Sequence, residues 1–377
     1  MLCKRLSVRQ FRNIERADVT FGQETNLIVG NNAQGKTNLL EAIALMAIGK
    51  SFRGAKEADL IRFGQNEAMV EMVYADSIRE QSLLFSMEAG KRHRLEQNGV
   101  KLARASEMVG AFRVVLFCPE HLSLIKSGPE LRRSFLDVAL CQLRPVYMNA
   151  LQRYNKILKE RNRLIKMARE SEEHRRSFFA TVDVWSAQLA QAGAIVCRYR
   201  ARYIERMRTA AATVFHEMTG GAEQPDFLYR GSLGEGAEPY VADSCESELY
   251  RKLTAHPQRE LDAGSTLYGP HRDDIEILLN GHAARTFASQ GQQRSLALAM
   301  KLSEGEICRE DMGEYPVFLF DDVLSELDSV RREYLISRIR DKQVIMTTCE
   351  NTNDLNMPHA SVILVDNGHF TQGEDKE

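Results

Sequence analysis

The stretch Gly30-Asn31-Asn32-Ala33-Gln34-Gly35-Lys36-Thr37 satisfies the P-loop pattern G-x-x-x-x-G-K-[ST] at every fixed position. Upstream, Asn26-Leu27-Ile28-Val29 is a short apolar run that reads as a buried strand. Downstream, residues 38–45 are good helix formers. Strand, glycine loop and helix in that order form the context a phosphate site requires. Gly30 and Gly35 let the backbone wrap closely, so that N–H groups from Asn31, Asn32, Ala33 and Gln34 point at phosphate oxygens. The helix that follows adds the positive end of its dipole. Lys36 supplies a point charge to the β- and γ-phosphates, and the Thr37 hydroxyl is a Mg²⁺ ligand. A glycine turn before an ordinary helix is the simpler account, and the flanking strand and helix argue against it.

The 377 residues provide for two or three domains, and 44% hydrophobic with 27% charged residues is an ordinary globular balance. No apolar run reaches the length of a membrane span. The N-terminal residues lead straight into strand-like sequence, with no secretory apolar core, so a cytoplasmic protein is expected. Seven cysteines, at 3, 118, 141, 197, 245, 308 and 349, show neither paired nor metal-ligand spacing and are expected to be reduced thiols. The formal net charge of -2 means that any polyanion must be met by local basic patches.

From the N-terminus, residues 6–12 alternate with period two, as a half-buried strand does. After the P-loop helix, residues 49–54 make a basic turn. Its Arg53 is either a solvated loop arginine or a phosphate contact. Residues 67–103 read as antiparallel strands with a hairpin at Asn98-Gly99, and 113–117 as a further strand. Near 120 the character changes. Gly128-Pro129-Glu130 opens a helix, Arg144-Pro145 breaks it, and 146–219 is almost continuously helical. A polar stretch at 169–176 is the natural turn between two antiparallel arms, each about 45 Å long. Gly220-Gly221 ends them, and a loose segment follows to about 245. Basic residues crowd this region: Lys126, Arg132, Arg133, Arg144, Arg153, Lys156, Lys159, Arg161, Arg163 and Lys166, then Arg198, Arg200, Arg202, Arg206 and Arg208. They are either a solvated face or a phosphate-backbone surface.

Motifs return after 264. Tyr268-Gly269-Pro270-His271-Arg272-Asp273-Asp274 leads into an alternating strand and a second hairpin at Asn280-Gly281. Ser289-Gln290-Gly291-Gln292-Gln293-Arg294 opens a helix. Ser289 with Gln292 is a capping box, which suffices for the pair, but free N–H groups there can also bind a γ-phosphate held by another subunit. Residues 316–320 form a buried strand ending in Asp321-Asp322. Asp321 is placed to hold Mg²⁺ and Asp322 to orient or deprotonate an attacking water. Strands at 344–348 and 362–365 and an acidic tail complete the chain.

In this order the pieces resemble the ABC-type ATPase heads of chromosome-maintenance and repair proteins, and most closely the RecF family of bacterial recombination mediators. The match rests on the P-loop, Phe52-Arg53, Leu131-Arg132-Arg133-Ser134-Phe135-Leu136-Asp137, the 268–274 and 289–294 motifs, and Ser325-Glu326-Leu327-Asp328 after the paired carboxylates. It implies an α/β ABC-type P-loop ATPase head with mixed sheets plus a mainly helical second lobe bearing short antiparallel arms. Residues 1–119 and 263–377 are expected to build the head, and 120–262 the lobe. It also implies catalytic Lys36, Asp321 and Asp322, nucleotide contacts along 30–37 and at Arg53, Ser289, Gly291 and Gln292, and Mg²⁺ on Thr37 and Asp321. The implied activity is slow, DNA-stimulated ATP hydrolysis in an ATP-dependent homodimer that acts on single-stranded and duplex DNA at gap junctions. RecR, RecO and RecA are the implied partners, in repair, replication and SOS induction. Asp322 stands where most ABC ATPases carry glutamate, and Thr347-Thr348 where many carry a γ-phosphate-sensing histidine. Glu120 is a candidate for the glutamine-loop position. A transporter ATP-binding subunit and an ATP-liganded DNA scaffold without turnover are the alternatives. The helical arms and the 67–103 hairpins argue against the former.

Overall fold

The structure is a computed structural model that describes residues 1–349, 357 and 360–373. The acidic tail read at the C-terminus lies mostly outside the described residues. The chain divides into two compact units, Met1–Ser123 with Ala297–Glu377, and Leu124–Leu296. In chain order the first unit contributes β1 (Leu2–Phe11), β2 (Ile14–Thr20), β3 (Thr25–Val29), α1 (Lys36–Ile48), β4 (Glu67–Ala75), β5 (Glu80–Glu88), β6 (Arg94–Gln97), β7 (Val100–Lys101) and β8 (Val114–Phe117). The second contributes α2 (Pro129–Leu143), α3 (Pro145–Ala168), α4 (Glu172–Thr219), β9 (Pro225–Gly231), β10 (Gly234–Glu235), α5 (Glu238–Val241), α6 (Cys245–Ala255), α7 (Pro257–Ala263), β11 (Asp274–Leu279), β12 (His282–Ala283) and α8 (Ala284–Phe287). The division falls inside α9 (Gln290–Met312), after which come β13 (Val317–Asp321), α10 (Ser329–Ile339), β14 (Val344–Thr348), β15 (Ser361–Asp366) and β16 (His369–Gln372).

Two sheets face α1 in the first unit. One has the order β16-β15-β3-β14-β13-β8 and is parallel except for the β15–β16 hairpin. Its strands β13 and β14 are buried along their whole length and mostly apolar, as strands covered on both faces are. The other, β2-β1-β4-β5-β6-β7, is antiparallel and alternates buried with exposed residues, as a sheet wet on one face does. Helix α1 packs against strands of both, and nearly all of its residues are buried, Glu41 included. A helix apolar on every side suits only such an enclosed place. Its one buried acid is neutralised by Arg12, whose Nε and Nη2 each lie 2.9 Å from a Glu41 carboxylate oxygen.

In the second unit α3 and α4 pack antiparallel, as the sequence indicates, with Ser171 capping α4 and Gly220 ending it in the left-handed conformation. The arms are unequal, however. At 24 and 48 residues they span about 36 Å and about 72 Å. The segment read as loose to 245 instead contains β9, which pairs antiparallel with β11 in the sheet β10-β9-β11-β12. That pairing also carries the unit on to Leu296, past the expected boundary at 262.

Part of the basic surplus is corrected by burial. Arg161 is fully buried, with Nη2 2.5 Å from Glu260 and Nη1 2.8 Å from Thr266 Oγ1. Arg132 forks onto Asp274 at 2.7 and 2.8 Å. Arg200 holds Asp137 and the Pro270 carbonyl, each at 2.7 Å. These three side chains are internal braces and cannot meet a polyanion. Arg153, Lys156, Lys159, Arg163 and Lys166 remain exposed. Arg161→Met strands the buried Glu260 carboxylate, so it is expected to lower unfolding free energy by about 3–5 kcal/mol. Arg161→Met with Glu260→Leu should recover most of that. Equilibrium denaturant unfolding checks both.

Candidate functional site

Parallel pairing brings the carboxyl ends of β3, β14, β13 and β8 together at one edge of the sheet, the place where open α/β sheets bind ligands. The P-loop leaves β3 there. Gly30 cannot be replaced without disruption, because an added Cβ would sit 2.5 Å from the Val365 carbonyl. Gly35 is at φ +113° and Ala33 at φ +64°, so the loop turns through the left-handed region twice before α1 begins. Asn32 Oδ1 lies 2.9 Å from Cys349 Sγ. The Gln34 carbonyl accepts from Gly368 N at 2.9 Å and its side-chain oxygen from Asn367 N, which tethers the loop to the β15–β16 turn.

Lys36 is buried. Its Nζ donates to the carbonyls of Gly30 at 2.6 Å and Asn31 at 2.9 Å and lies 3.1 Å from Cys349 Sγ. The loop carbonyls thus hold the ammonium inside the cradle that phosphates would fill. Thr37 Oγ1 donates to Asp321 Oδ1 at 2.8 Å, joining residues 284 positions apart. Thr347 Oγ1 donates to the same oxygen at 2.8 Å and accepts the Asp322 N–H at 2.9 Å. That last bond holds Asp322 at φ +51°, a conformation unusual for a residue with a side chain. Thr347 therefore fixes both carboxylate residues, a role its sequence did not announce.

The donor set fits Mg²⁺. Thr37 Oγ1 and the Asp321 carboxylate are hard oxygens, and one carboxylate completed by substrate phosphate and water is how this ion is usually held. Among the described residues there is no cluster of three or more His, Cys, Asp or Glu that would select another metal.

Arg53 lies beside the first turn of α1, with Nη1 3.2 Å from Asn38 Oδ1 and 3.9 Å from Glu41. Glu120 is exposed in the short turn Pro119–Ser123 that follows β8. Ser289, Gly291 and Gln292 belong to the second unit. There the capping box is present in both directions: Ser289 N donates to Gln292 Oε1 at 2.6 Å, and Gln292 N to Ser289 Oγ at 3.2 Å. The Gln292 amide also donates to the Glu223 carboxylate. Sequence reading missed Asn13, whose side chain abuts Gly35 and accepts from Asn38 Nδ2 at 2.7 Å. A polar turn straight after an alternating strand, Phe11-Arg12-Asn13, was its only local signal.

With this geometry in place, the sequence matches the family described as RecF/RecN/SMC N terminal domain over residues 2–369. The chain belongs to the RecF family. A relative from Halothermothrix orenii, named DNA replication and repair protein RecF, is 38% identical, covering 99% of both chains. One of the same name from Geobacillus kaustophilus is 39% identical, covering 92% of both. A solved structure of the recombination mediator protein RecF-ATPrS in the RecFOR pathway superposes with TM-score 0.90 at 33% identity, over 99% of this chain and 98% of that one. The Smc head of Pyrococcus furiosus, at TM-score 0.57 and 17% identity over 98% of this chain and 95% of that one, shares the ABC-type head fold. No helix among the described residues is long and apolar enough to cross a membrane.

Thr347→Val removes the partner of a part-buried N–H, so it is expected to cost about 1–3 kcal/mol of stability. Thr347→Ser keeps the hydroxyl and should cost less. Chemical unfolding of the two variants side by side checks the assignment.

Proposed function

We propose that the chain is an ATP-dependent recombination mediator of the cytoplasm that acts in DNA repair, replication and SOS induction. It binds ATP with Mg²⁺ along residues 30–37 and dimerises on it. It hydrolyses ATP slowly with stimulation by DNA, and works at junctions of single-stranded with duplex DNA, where RecR and RecO join it in placing RecA. The observation that carries this reading is the 2.8 Å bond from Thr37 to Asp321, which joins the P-loop to the first of the paired carboxylates in a member of the RecF family. ATP-liganded relatives covering nearly the whole chain support it further.

Within this reading Lys36 neutralises the β- and γ-phosphates, with Arg53 as a further contact. Asp322 orients the attacking water. Ser289 and Gly291 of one copy meet the γ-phosphate held by the other, so that the nucleotide itself bridges the dimer. Thr37 and Asp321 would hold Mg²⁺, which would offset the charge that the phosphates bring. Replacing glutamate by the shorter Asp322, and a sensing histidine by Thr347, accords with slow turnover.

Three variants read the cycle by light scattering and phosphate release. Lys36→Ala is expected to lose tight ATP binding and dimerisation together. Ser289→Arg should bind ATP and fail to dimerise, because the side chain fills the partner's γ-phosphate position. Asp322→Asn relieves repulsion and weakens water activation, so its ATP dimer should form and persist. Normal dimerisation of Ser289→Arg, or unmodified turnover of Asp322→Asn, refutes the assigned roles. A scaffold without turnover predicts no phosphate release from the unmodified protein, with or without DNA.

The exposed cations Arg153, Lys156, Lys159 and Arg163 on α3 are the proposed phosphate-backbone contacts. Reversing these four charges is expected to weaken binding to unrelated DNA sequences about equally and to flatten the salt dependence by roughly one unit of log–log slope per lost contact. Unchanged affinity in a salt titration moves the DNA site elsewhere.

A further inference from the structure

The basic turn that leaves α1 is held by one hydroxyl. Gly49, at φ +74°, ends the helix with its N–H on the Leu45 carbonyl at 2.8 Å. In the turn that follows, Lys50, Arg53 and Gly54 are exposed, whereas Ser51 is buried. Ser51 Oγ donates to Glu41 Oε1 at 2.5 Å. It accepts the Arg53 N–H at 3.1 Å and the Ala55 N–H at 3.3 Å. A hydroxyl has one donor and two lone pairs, and here each is used. Both lone pairs fix backbone, one on either side of Gly54, a residue at φ +70° that gives the turn little stiffness of its own.

Glu41, fully buried in the second turn of α1, anchors this arrangement and is itself neutralised from elsewhere. Arg12 forks onto both of its carboxylate oxygens at 2.9 Å. Arg53 Nη1 stops 3.9 Å from Glu41, outside hydrogen-bond distance, and donates instead to the neutral Asn38 Oδ1 at 3.2 Å. Arg12 thus satisfies the carboxylate and leaves the half-exposed Arg53 guanidinium able to meet an anion. The guanidinium stands beside the first turn of α1, where the helix dipole also favours negative charge. Charge comes from Arg53 and direction from Ser51.

We infer that Ser51 is a positioning residue: its hydroxyl, anchored on Glu41, sets the backbone from which Arg53 reaches the phosphates of the nucleotide. The inference rests on the reading of Arg53 as a phosphate contact and adds the device that aims it. Ser51 acts only through Arg53. Without the hydroxyl the turn samples more conformations, and nucleotide binding must then also order it.

The test is a double-mutant cycle of Ser51→Ala and Arg53→Ala, read by equilibrium binding of Mg²⁺–ATP to the full chain. Arg53→Ala removes a charge-assisted contact and is expected to weaken binding about tenfold or more, with Ser51→Ala costing about fivefold. The double variant should fall within about twofold of Arg53→Ala alone, because nothing is left to aim. Ser51→Thr keeps the hydroxyl and should bind within about twofold of the unmodified protein. Ser51→Ala leaves Glu41 on its Arg12 fork, and the freed N–H groups lie in a surface turn, so this variant is expected to fold. Unchanged affinity in Ser51→Ala, losses that add in the double variant, or a loss in Ser51→Thr as large as in Ser51→Ala overturn the inference and leave Arg53 as a phosphate contact. Unchanged affinity in Arg53→Ala instead overturns that contact, and this inference with it.

Discussion

The hydrogen bond from Thr37 to Asp321 is the constraint on which the nucleotide site depends. It closes only if β3 and β13 end level with each other, and they are not neighbours. Strand β14 stands between them, parallel to both, with Thr347 paired to Ile28 on one side and Asp321 on the other. Its threonine then bonds the same Asp321 oxygen that Thr37 uses. A change of register by one residue would turn the relevant side chains to the other face of the sheet. The apolar strands that look like mere core are therefore what aligns the carboxylates, and α1, wedged between two sheets, holds the P-loop against them.

How much of this was legible follows from the range of each interaction. The strand–loop–helix around Lys36, the hairpins at Asn98-Gly99 and Asn280-Gly281, and the start of α2 at Pro129 are written in adjacent residues, and each formed as read. Strand β9 was not legible. Its partner β11 lies more than forty residues later, and the intervening glycines and acids resemble a loop. The buried arginines failed for the same reason. Arg161 sits in a run of cations that resembles a solvated face, and only Glu260, distant in sequence, shows that it points inward.

The motifs that carried the family resemblance divide in a similar way. Residues 131–137 and 268–274 are dense in charge and invite a catalytic reading, yet they chiefly lock onto each other. Arg132 grips Asp274, Arg133 donates to the Asp273 carbonyl at 2.8 Å, and Arg200 ties Asp137 to Pro270. Tyr229 and Cys197 donate to the buried Asp273 carboxylate, whose pKa burial raises. His271 accepts its place between Tyr154 and the Thr266 carbonyl, and burial pushes its pKa down to about 4. Such a network is costly unless every member is satisfied, which explains why so many polar residues must occur together at fixed spacings.

The same logic bears on Ser289. Its hydroxyl already accepts from Gln292 N, and the Gln292 side chain already spans Ser289 N and Glu223. The capping box and the proposed contact with a partner's γ-phosphate are therefore alternatives for some of the same N–H groups rather than independent roles. A phosphate brings more charge than a glutamine carbonyl and gains more from the helix dipole. It also displaces bonds already made, so the net gain is smaller than a free helix end would give. In the proposed dimer, closure would then depend on the charge at the γ-position, and loss of that charge would return the helix end to its own cap. A self-capped signature segment is in this way consistent with a dimer that forms on ATP and dissolves after hydrolysis.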